Sequence, residues 1–392
     1  LGAKVSVTDA QDNEVTRRNC AKLISEEIKI ELGKHSRAFI EGRDLVVVSP
    51  GVPPASEAMI FSRELNIAVV SEIEVASMLC PGTIIAVTGS NGKTTVTTLV
   101  GKILEAAGKK VFTCGNIGNP FSGEVSKIKE GDFVSLEVSS FQLENIRDFK
   151  PKISLILNFS RNHLDRYKDM QEYLEAKKRI YLNQDKNDYL ILNSDCPVSQ
   201  ALAQEARGNI VYFSKTEGLN PNQAAVVAVG VILGVTKETC LKVFKQFNGV
   251  EHRMEYVAEI SGIKFINDSK ATTVDSAVWA LESIAGQVVL IAGGKDKGLD
   301  YKVVLDSARN KVREVILIGE AKEKIKAALK GALLISEAGS LDGAIGLAFN
   351  KAKPGDSVLL SPMCSSFDMF SDYEARGRAF KKAVLELKAK KE

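Results

Sequence analysis

The chain has 392 residues, more than one hydrophobic core usually organises, so two or three domains with room for a cleft are expected. Hydrophobic residues at 45% and charged residues at 26% exclude a disordered or fibrous chain. The 52 basic against 49 acidic side chains leave a formal charge of +3, too small for a nucleic-acid polyanion to be the main partner, so an anion must be held by a local site.

Residues 5–9 read as a short apolar strand ending in an acid, and Leu45-Val46-Val47-Val48 as another that runs into the turn Ser49-Pro50-Gly51-Val52. This is a small α/β unit of dinucleotide-binding type, whose opening strand and glycine loop would precede Val5. Residues 1–80 are therefore expected to form an N-terminally incomplete, Rossmann-like remnant that closes near Cys80-Pro81-Gly82. Ile84-Ile85-Ala86-Val87 is a strand of the buried type, followed by a glycine loop and a helix with Val96, Leu99, Val100, Ile103 and Leu104 on one face. Further strands at 133–138, 153–158 and 189–192 alternate with helical segments, which predicts a mostly parallel sheet covered by helices. An alanine-rich helix follows, and Phe247-Asn248-Gly249 closes a central domain over 81–249. The rhythm repeats in 250–392, with strands near 264–267, 288–292, 314–318 and 358–361, as in a doubly wound, Rossmann-like domain.

The basic end, residues 388–391, reads as a solvated helix terminus. Six cysteines, Cys20, Cys80, Cys114, Cys196, Cys240 and Cys364, have no paired spacing, so reduced thiols in the cytoplasm are expected rather than disulfides or zinc. No run of eighteen apolar residues and no signal peptide occur, and no membrane association is expected.

Chemistry concentrates first in Thr88-Gly89-Ser90-Asn91-Gly92-Lys93-Thr94-Thr95. A strand, a glycine loop and a helix N-terminus present backbone amides to the phosphates of a nucleotide. Lys93 is placed to neutralise the β- and γ-phosphates, and Thr94 to offer its hydroxyl to Mg²⁺. Gly89 stands only three residues before Gly92, a shorter loop than the usual one. Other residues are ambiguous by themselves. Glu137 at a strand end could reach a metal ion in a cleft, but a lone acid is more often on the surface. Lys177 lies in Glu-Ala-Lys-Lys-Arg, which by pattern alone is the wet face of a helix.

The shortened loop resembles that of the Mur ligases and the related folylpolyglutamate synthases, and segments along nearly the whole chain extend the likeness. They are Leu136-Glu137-Val138-Ser139-Ser140-Phe141-Gln142-Leu143-Glu144, Asn158-Phe159-Ser160-Arg161-Asn162-His163-Leu164-Asp165-Arg166, and Glu175-Ala176-Lys177. In the last third they are His252-Arg253, Asn267-Asp268-Ser269-Lys270-Ala271-Thr272, Gly293-Gly294-Lys295-Asp296-Lys297, and the segment from Ser361-Pro362-Met363 to Ser366-Phe367-Asp368-Met369-Phe370. The resemblance implies an ATP- and Mg²⁺-dependent ligase, acting as a monomer, with UDP-N-acetylmuramoyl-L-alanine and D-glutamate as substrates. It makes Glu137 and His163 ligands of a second Mg²⁺, with Thr94 on the first, and Lys177 a carbamate that orients the metal. Arg253, Asp268 and Asn222 then meet the nucleotide together with Gly89 to Thr95. Lys270 faces the acyl phosphate, with Lys93, His163 and Lys177 as the other catalytic groups. Ser49, Pro50, Gly51, Asn116 and Ser139 touch the sugar nucleotide, and Thr272, Lys297, Ser366 and Phe367 form the glutamate pocket.

Two departures stand out. Asn162 replaces the Asp common in the family before the histidine, and Asn222 lacks the family's preceding His-Asn pair. An Asp-Asn-Pro-Arg motif, expected of the diaminopimelate- or lysine-adding relatives, does not occur. The alternatives are another amide ligase of the same family, including a folate-glutamylating one, and a P-loop module that binds nucleotide without ligation.

Overall fold

The computed structural model describes residues 2–23, 28–159, 166–247 and 249–391. The chain divides into two compact units, Leu1–Lys245 and Gln246–Glu392. Residues 1–80 lie inside the first unit.

In the first unit, apolar runs bounded by glycine or charged turns become strands. Among the described residues they are β1 Ser6–Asp9, β2 Lys29–Leu32, β3 Leu45–Val48, β4 Ala68–Ser71, β5 Thr83–Thr88, β6 Val111–Gly115, β7 Phe133–Glu137, β8 Ile153–Ile156, β9 Tyr189–Asn193 and β10 Asn209–Phe213. Two parallel pairs, β1 with β2 and β3 with β4, open the chain. The other six form one parallel sheet in the order β10-β9-β8-β5-β7-β6. Its central strands read as continuous apolar runs because helices cover both faces. Ile85, Ala86, Val87, Leu136, Ile153 and Leu155 are all fully buried.

The helix Glu72–Leu79 ties the opening strands to this sheet. Buried Glu74 accepts three backbone N–H groups, from Arg147 at 2.9 Å, Asp148 at 2.8 Å and Phe149 at 3.0 Å. A carboxylate can be buried at tolerable cost only with such donors.

The second unit holds β11 Glu255–Ile260, β12 Ile263–Asn267, β13 Val288–Gly293, β14 Val312–Ile318, β15 Ile335–Glu337 and β16 Ser357–Leu360, in the order β11-β12-β16-β13-β14-β15. All pairings are parallel except β11 with β12, which are antiparallel. The doubly wound domain thus carries one antiparallel edge strand, where Ser261 and Gly262, with φ of 49° and 76°, close a tight hairpin. A two-residue turn with both φ positive is the usual hairpin solution.

Among the described residues no helix is long and apolar enough to cross a membrane. All six cysteines are unpaired.

Candidate active site

The loop after β5 owes its shape to two glycines and to one asparagine from the neighbouring strand. Gly92 sits at φ 82°, and a Cβ there would stand 2.5 Å from the Asn222 side-chain oxygen. A side chain at this position is therefore excluded by conformation and by space together. Asn158, just past β8, accepts from Asn91 N at 2.8 Å and donates to Asn91 O at 3.0 Å, so its amide holds the loop as a paired strand would. Ser90 N donates to Asn158 O at 3.2 Å. The loop delivers the chain into the helix Lys93–Ala106, whose first residues are Lys93, Thr94 and Thr95. Thr94 is buried at 2% exposure. Asn222, the second residue of the helix Pro221–Ile232, is thereby set against Gly92.

Two lysines share one acceptor in this loop. Lys93 Nζ donates to Gly89 O at 2.9 Å and to Ser90 O at 3.0 Å, while Lys177 Nζ donates to Gly89 O at 3.0 Å. Lys177 is 1% exposed, and its ammonium lies 4.6 Å from the centroid of the Tyr173 ring. Burial, and then the positive charge of Lys93, hold its pKa well below the ordinary lysine value. The wet-face pattern is thus overturned for this residue. The helix Met170–Lys178 turns Tyr173, Ala176 and Lys177 inward and leaves Glu175 exposed.

Glu137 ends β7, and the strand register sets it beside Val87, two residues before Gly89. It is 2% exposed rather than on the surface. One carboxylate oxygen accepts from Asn116 Nδ2 at 2.7 Å; the other is buried with no hydrogen-bond partner among the described residues. A buried carboxylate oxygen left over in this way, with the Thr94 hydroxyl at the head of the same loop's helix, suits an oxygen-liganded cation such as Mg²⁺. His163, the other expected ligand, lies outside the described residues. Among those described, no group of three or more His, Cys, Asp and Glu side chains could hold a metal ion.

Ser139 caps the helix Ser140–Leu143 in a reciprocal box with Gln142. Its backbone N–H donates to Gln142 Oε1 at 2.9 Å, and its hydroxyl accepts from Gln142 N at 3.3 Å. Ser49, Pro50 and Gly51 make a turn after β3, closed by Val52 N donating to Ser49 O at 3.0 Å. A hollow of about 670 Å³ begins beside that turn and is lined by Val52, Pro54, Arg63, Arg166 and Arg207 among others, with none of residues 89–95 among its described lining.

In the second unit, the turn after β12 carries Asp268, Ser269 and Lys270. Asp268 is 4% exposed, with Met254 N donating to it at 3.2 Å and Ser361 Oγ at 3.1 Å. Burial pushes its pKa up to about 7, against the lowering effects of those hydrogen bonds and of the nearby Arg253 charge. Lys270 N donates to His252 O at 3.0 Å, and its ammonium lies 5.9 Å from the Tyr373 ring centroid. Lys297 Nζ donates to Thr272 O at 3.3 Å, which joins two of the three segments expected to hold an acceptor. Ser366 is buried, whereas Phe367 is 66% exposed.

Arg376, from the helix Tyr373–Lys391, was not legible as a site residue. It is 1% exposed and donates to Ser269 Oγ and Ser269 O, both at 2.9 Å, and to Ser365 O and Cys364 O, both at 3.2 Å. It therefore pins the Ser269 turn to the loop before Ser366. Asn158 was likewise missed as a working residue. An asparagine just past an apolar strand, in line with a glycine loop, is the signal that could have found it.

Residues 87–259 match the model of the Mur ligase middle domain, and residues 252–364 that of the Mur ligase glutamate ligase domain. The chain is 39% identical to the UDP-N-acetylmuramoylalanine–D-glutamate ligase of Thermoanaerobacter pseudethanolicus, over 99% of this chain and 94% of that one. It is also 39% identical to the protein of the same name from Koribacter versatilis, over 98% and 92%. Among solved structures, the UDP-N-acetylmuramate–alanine ligase of Thermotoga maritima aligns with a TM-score of 0.59 at 18% identity, over 98% of this chain and 94% of that one. A folylpolyglutamate synthase/dihydrofolate synthase of Yersinia pestis aligns at 0.58 and 17%, over 80% and 93%.

Proposed function

The chain belongs to the Mur ligase family, and from that premise we propose that it uses ATP to join D-glutamate to UDP-N-acetylmuramoyl-L-alanine, a step of peptidoglycan synthesis. A carboxylate oxygen of the alanyl group attacks the γ-phosphorus, and ADP leaves. The amine of D-glutamate then attacks the acyl-phosphate carbon, loses a proton, and inorganic phosphate departs as the amide forms.

The observation that carries this reading is the loop with its two lysines on Gly89 O, next to a buried Glu137 that keeps one oxygen unpaired. Two anions, a carboxylate and a triphosphate, have to meet, so fixed positive charge dominates the barrier. The loop from Gly89 to Gly92, shaped by the bonds that Ser90 and Asn91 N–H make to Asn158, and the amides at the helix N-terminus wrap the phosphates, with Thr95 on the same turn. Lys93 turns from its loop carbonyls to the β- and γ-phosphates. Thr94, Glu137 and His163 would hold Mg²⁺, which supplies Lewis-acid charge at the phosphoryl oxygens when bound. Lys177, whose pKa burial and Lys93 hold well below the ordinary lysine value, adds to CO₂ through its amine with loss of a proton and becomes a carbamate. The carbamate places an anion where an ammonium would repel the metal.

Asn222 and Arg253 meet the nucleotide, and Asp268 and Lys270 face it and the acyl phosphate. Thr272, Lys297 and Ser366, with the backbone at Phe367, hold the two carboxylates of D-glutamate. Ser49, Pro50, Gly51, Asn116 and Ser139 contact the sugar nucleotide. We assign residues 1–80 to the UDP end of that substrate, 81–249 to ATP and 250–392 to D-glutamate, in a cytoplasmic monomer.

The test is a ligation assay read by product mass and by ADP. The wild type is expected to form one glutamyl adduct per ADP, and Lys93→Ala to be about a hundred- to a thousandfold slower. In bicarbonate-stripped buffer the rate should fall and return when bicarbonate is restored. ATP consumption with no adduct would refute the ligase reading, and an unchanged rate without bicarbonate would refute the carbamate.

A further inference from the structure

Arg253 stands on a turn whose backbone is conformationally costly. Its neighbours His252 and Met254 are both non-glycine residues at positive φ, 63° and 45°. Such a pair persists only where the surroundings over-determine it. Here they do. His252 is 3% exposed, its N–H donates to Glu255 Oε2 at 2.9 Å, and its ring Nδ1 lies 3.0 Å from Asn267 Nδ2. The ring fits because residue 377 is glycine: a Cβ there would stand 2.2 Å from His252 Nδ1. Met254 N is tied to Asp268 at 3.2 Å, and Arg253 N to Val250 O at 3.1 Å.

The backbone thus fixes where Arg253 starts, but not where a long, flexible side chain ends. Its guanidinium carbon lies over the ring of Trp279, 5.9 Å from the centroid. Trp279 is the single tryptophan of the chain and lies on the helix Val274–Ser283. That helix buries Val274, Ala277, Ala280 and Leu281 in the core, whereas Trp279 is only half-buried, so core filling does not account for its size. The Arg253 charge also acts on the buried carboxyl of Asp268. A guanidinium drawn to an aromatic face keeps its in-plane N–H edge for acceptors such as phosphate oxygens.

We propose that Trp279 is a positioning residue for nucleotide binding: its indole face holds the Arg253 guanidinium in the orientation in which Arg253 meets ATP. This rests on the reading of Arg253 as a nucleotide contact.

The experiment compares Trp279→Ala, Trp279→Phe, Arg253→Ala and the double alanine variant in steady-state ligation. Trp279→Ala should raise KM for ATP about three- to fivefold, as loss of a partly solvated cation–π contact implies. KM for D-glutamate and kcat should change less than that. Trp279→Phe should recover most of the loss, and the double variant should be no worse than Arg253→Ala. In the wild type, Trp279 emission should respond to ADP, and the response should be lost in Arg253→Ala. If Arg253→Ala leaves KM for ATP unchanged, the nucleotide reading of Arg253 fails and the inference fails with it. If Arg253→Ala weakens ATP but Trp279→Ala does not, or Trp279→Ala weakens it equally in the Arg253→Ala background, the inference alone is overturned.

Discussion

Asp268 is a carboxyl group held almost out of water, and burial, opposed by Met254 N–H, Arg253 and Ser361, leaves its pKa at about 7. A folded-state pKa above the unfolded value of 3.8 means that the folded chain binds this proton more tightly. The contribution to stability is fully present below pH ~4 and is lost as pH rises through ~7. Asp268→Asn keeps the shape without the titration, so its stability relative to wild type should improve between pH 5 and pH 8. The change should be of order 2–3 kcal/mol at most, given about 1.4 kcal/mol per pKa unit. Urea unfolding of the ligand-free proteins at the two pH values measures it. Parallel shifts at both would contradict the account. Glu137 and Lys177 show the limit of reading residues singly. Both look like solvent-facing charges, and the spacing from Tyr173 to Lys177 on one helix face was the only local sign that the lysine turns inward.

At the scale of elements, the loop after β5 works because β8 sends Asn158 back to it. Asn158→Ala would strip both contacts from Asn91 and leave a loop N–H without its partner, a cost of about 1–3 kcal/mol. Because that cost falls on a phosphate-wrapping loop, KM for ATP should rise about tenfold or more while the melting temperature drops by only a few degrees. Calorimetry beside steady-state kinetics separates the two, and a large melting loss with unchanged KM would contradict the assignment. Strands with covered faces, such as β5, β7, β8, β13 and β16, were legible because their apolar runs survive without context, and β1 and β3 were read from their valines although they are half-exposed. Those missed were short or half-exposed. Lys29–Leu32 carries two charges in four residues, Ile335–Glu337 has only three residues, and Glu255–Ile260 exposes Tyr256 at 57%. Edge strands are held by backbone pairing more than by apolar burial, so composition does not announce them.

For the molecule as a whole, a formal charge of +3 conceals a strongly local arrangement. On the proposed reading, cations gather where phosphate and carboxylate groups have to be held, at Lys93 in the first unit and at Arg253, Lys270 and Lys297 in the second, while Lys177 acts as a carbamate anion. The glycine loop was legible because its chemistry is contiguous in sequence. The Arg376 clamp was not, because it joins Ser269, Cys364 and Ser365 through their backbone and hydroxyl oxygens, which no residue pattern records. The central claim is that the acceptor is D-glutamate. A pocket that fixes two carboxylates and aims one amine at an acyl phosphate must discriminate hand as well as charge, since inversion misdirects the nucleophile even when both carboxylates bind. The direct measurement supplies UDP-N-acetylmuramoyl-L-alanine and ATP with D-glutamate, L-glutamate, L-lysine or meso-diaminopimelate in parallel, and follows ADP. D-glutamate should be faster than each of the others by at least about a hundredfold; faster ADP formation with any of the other three would contradict the account.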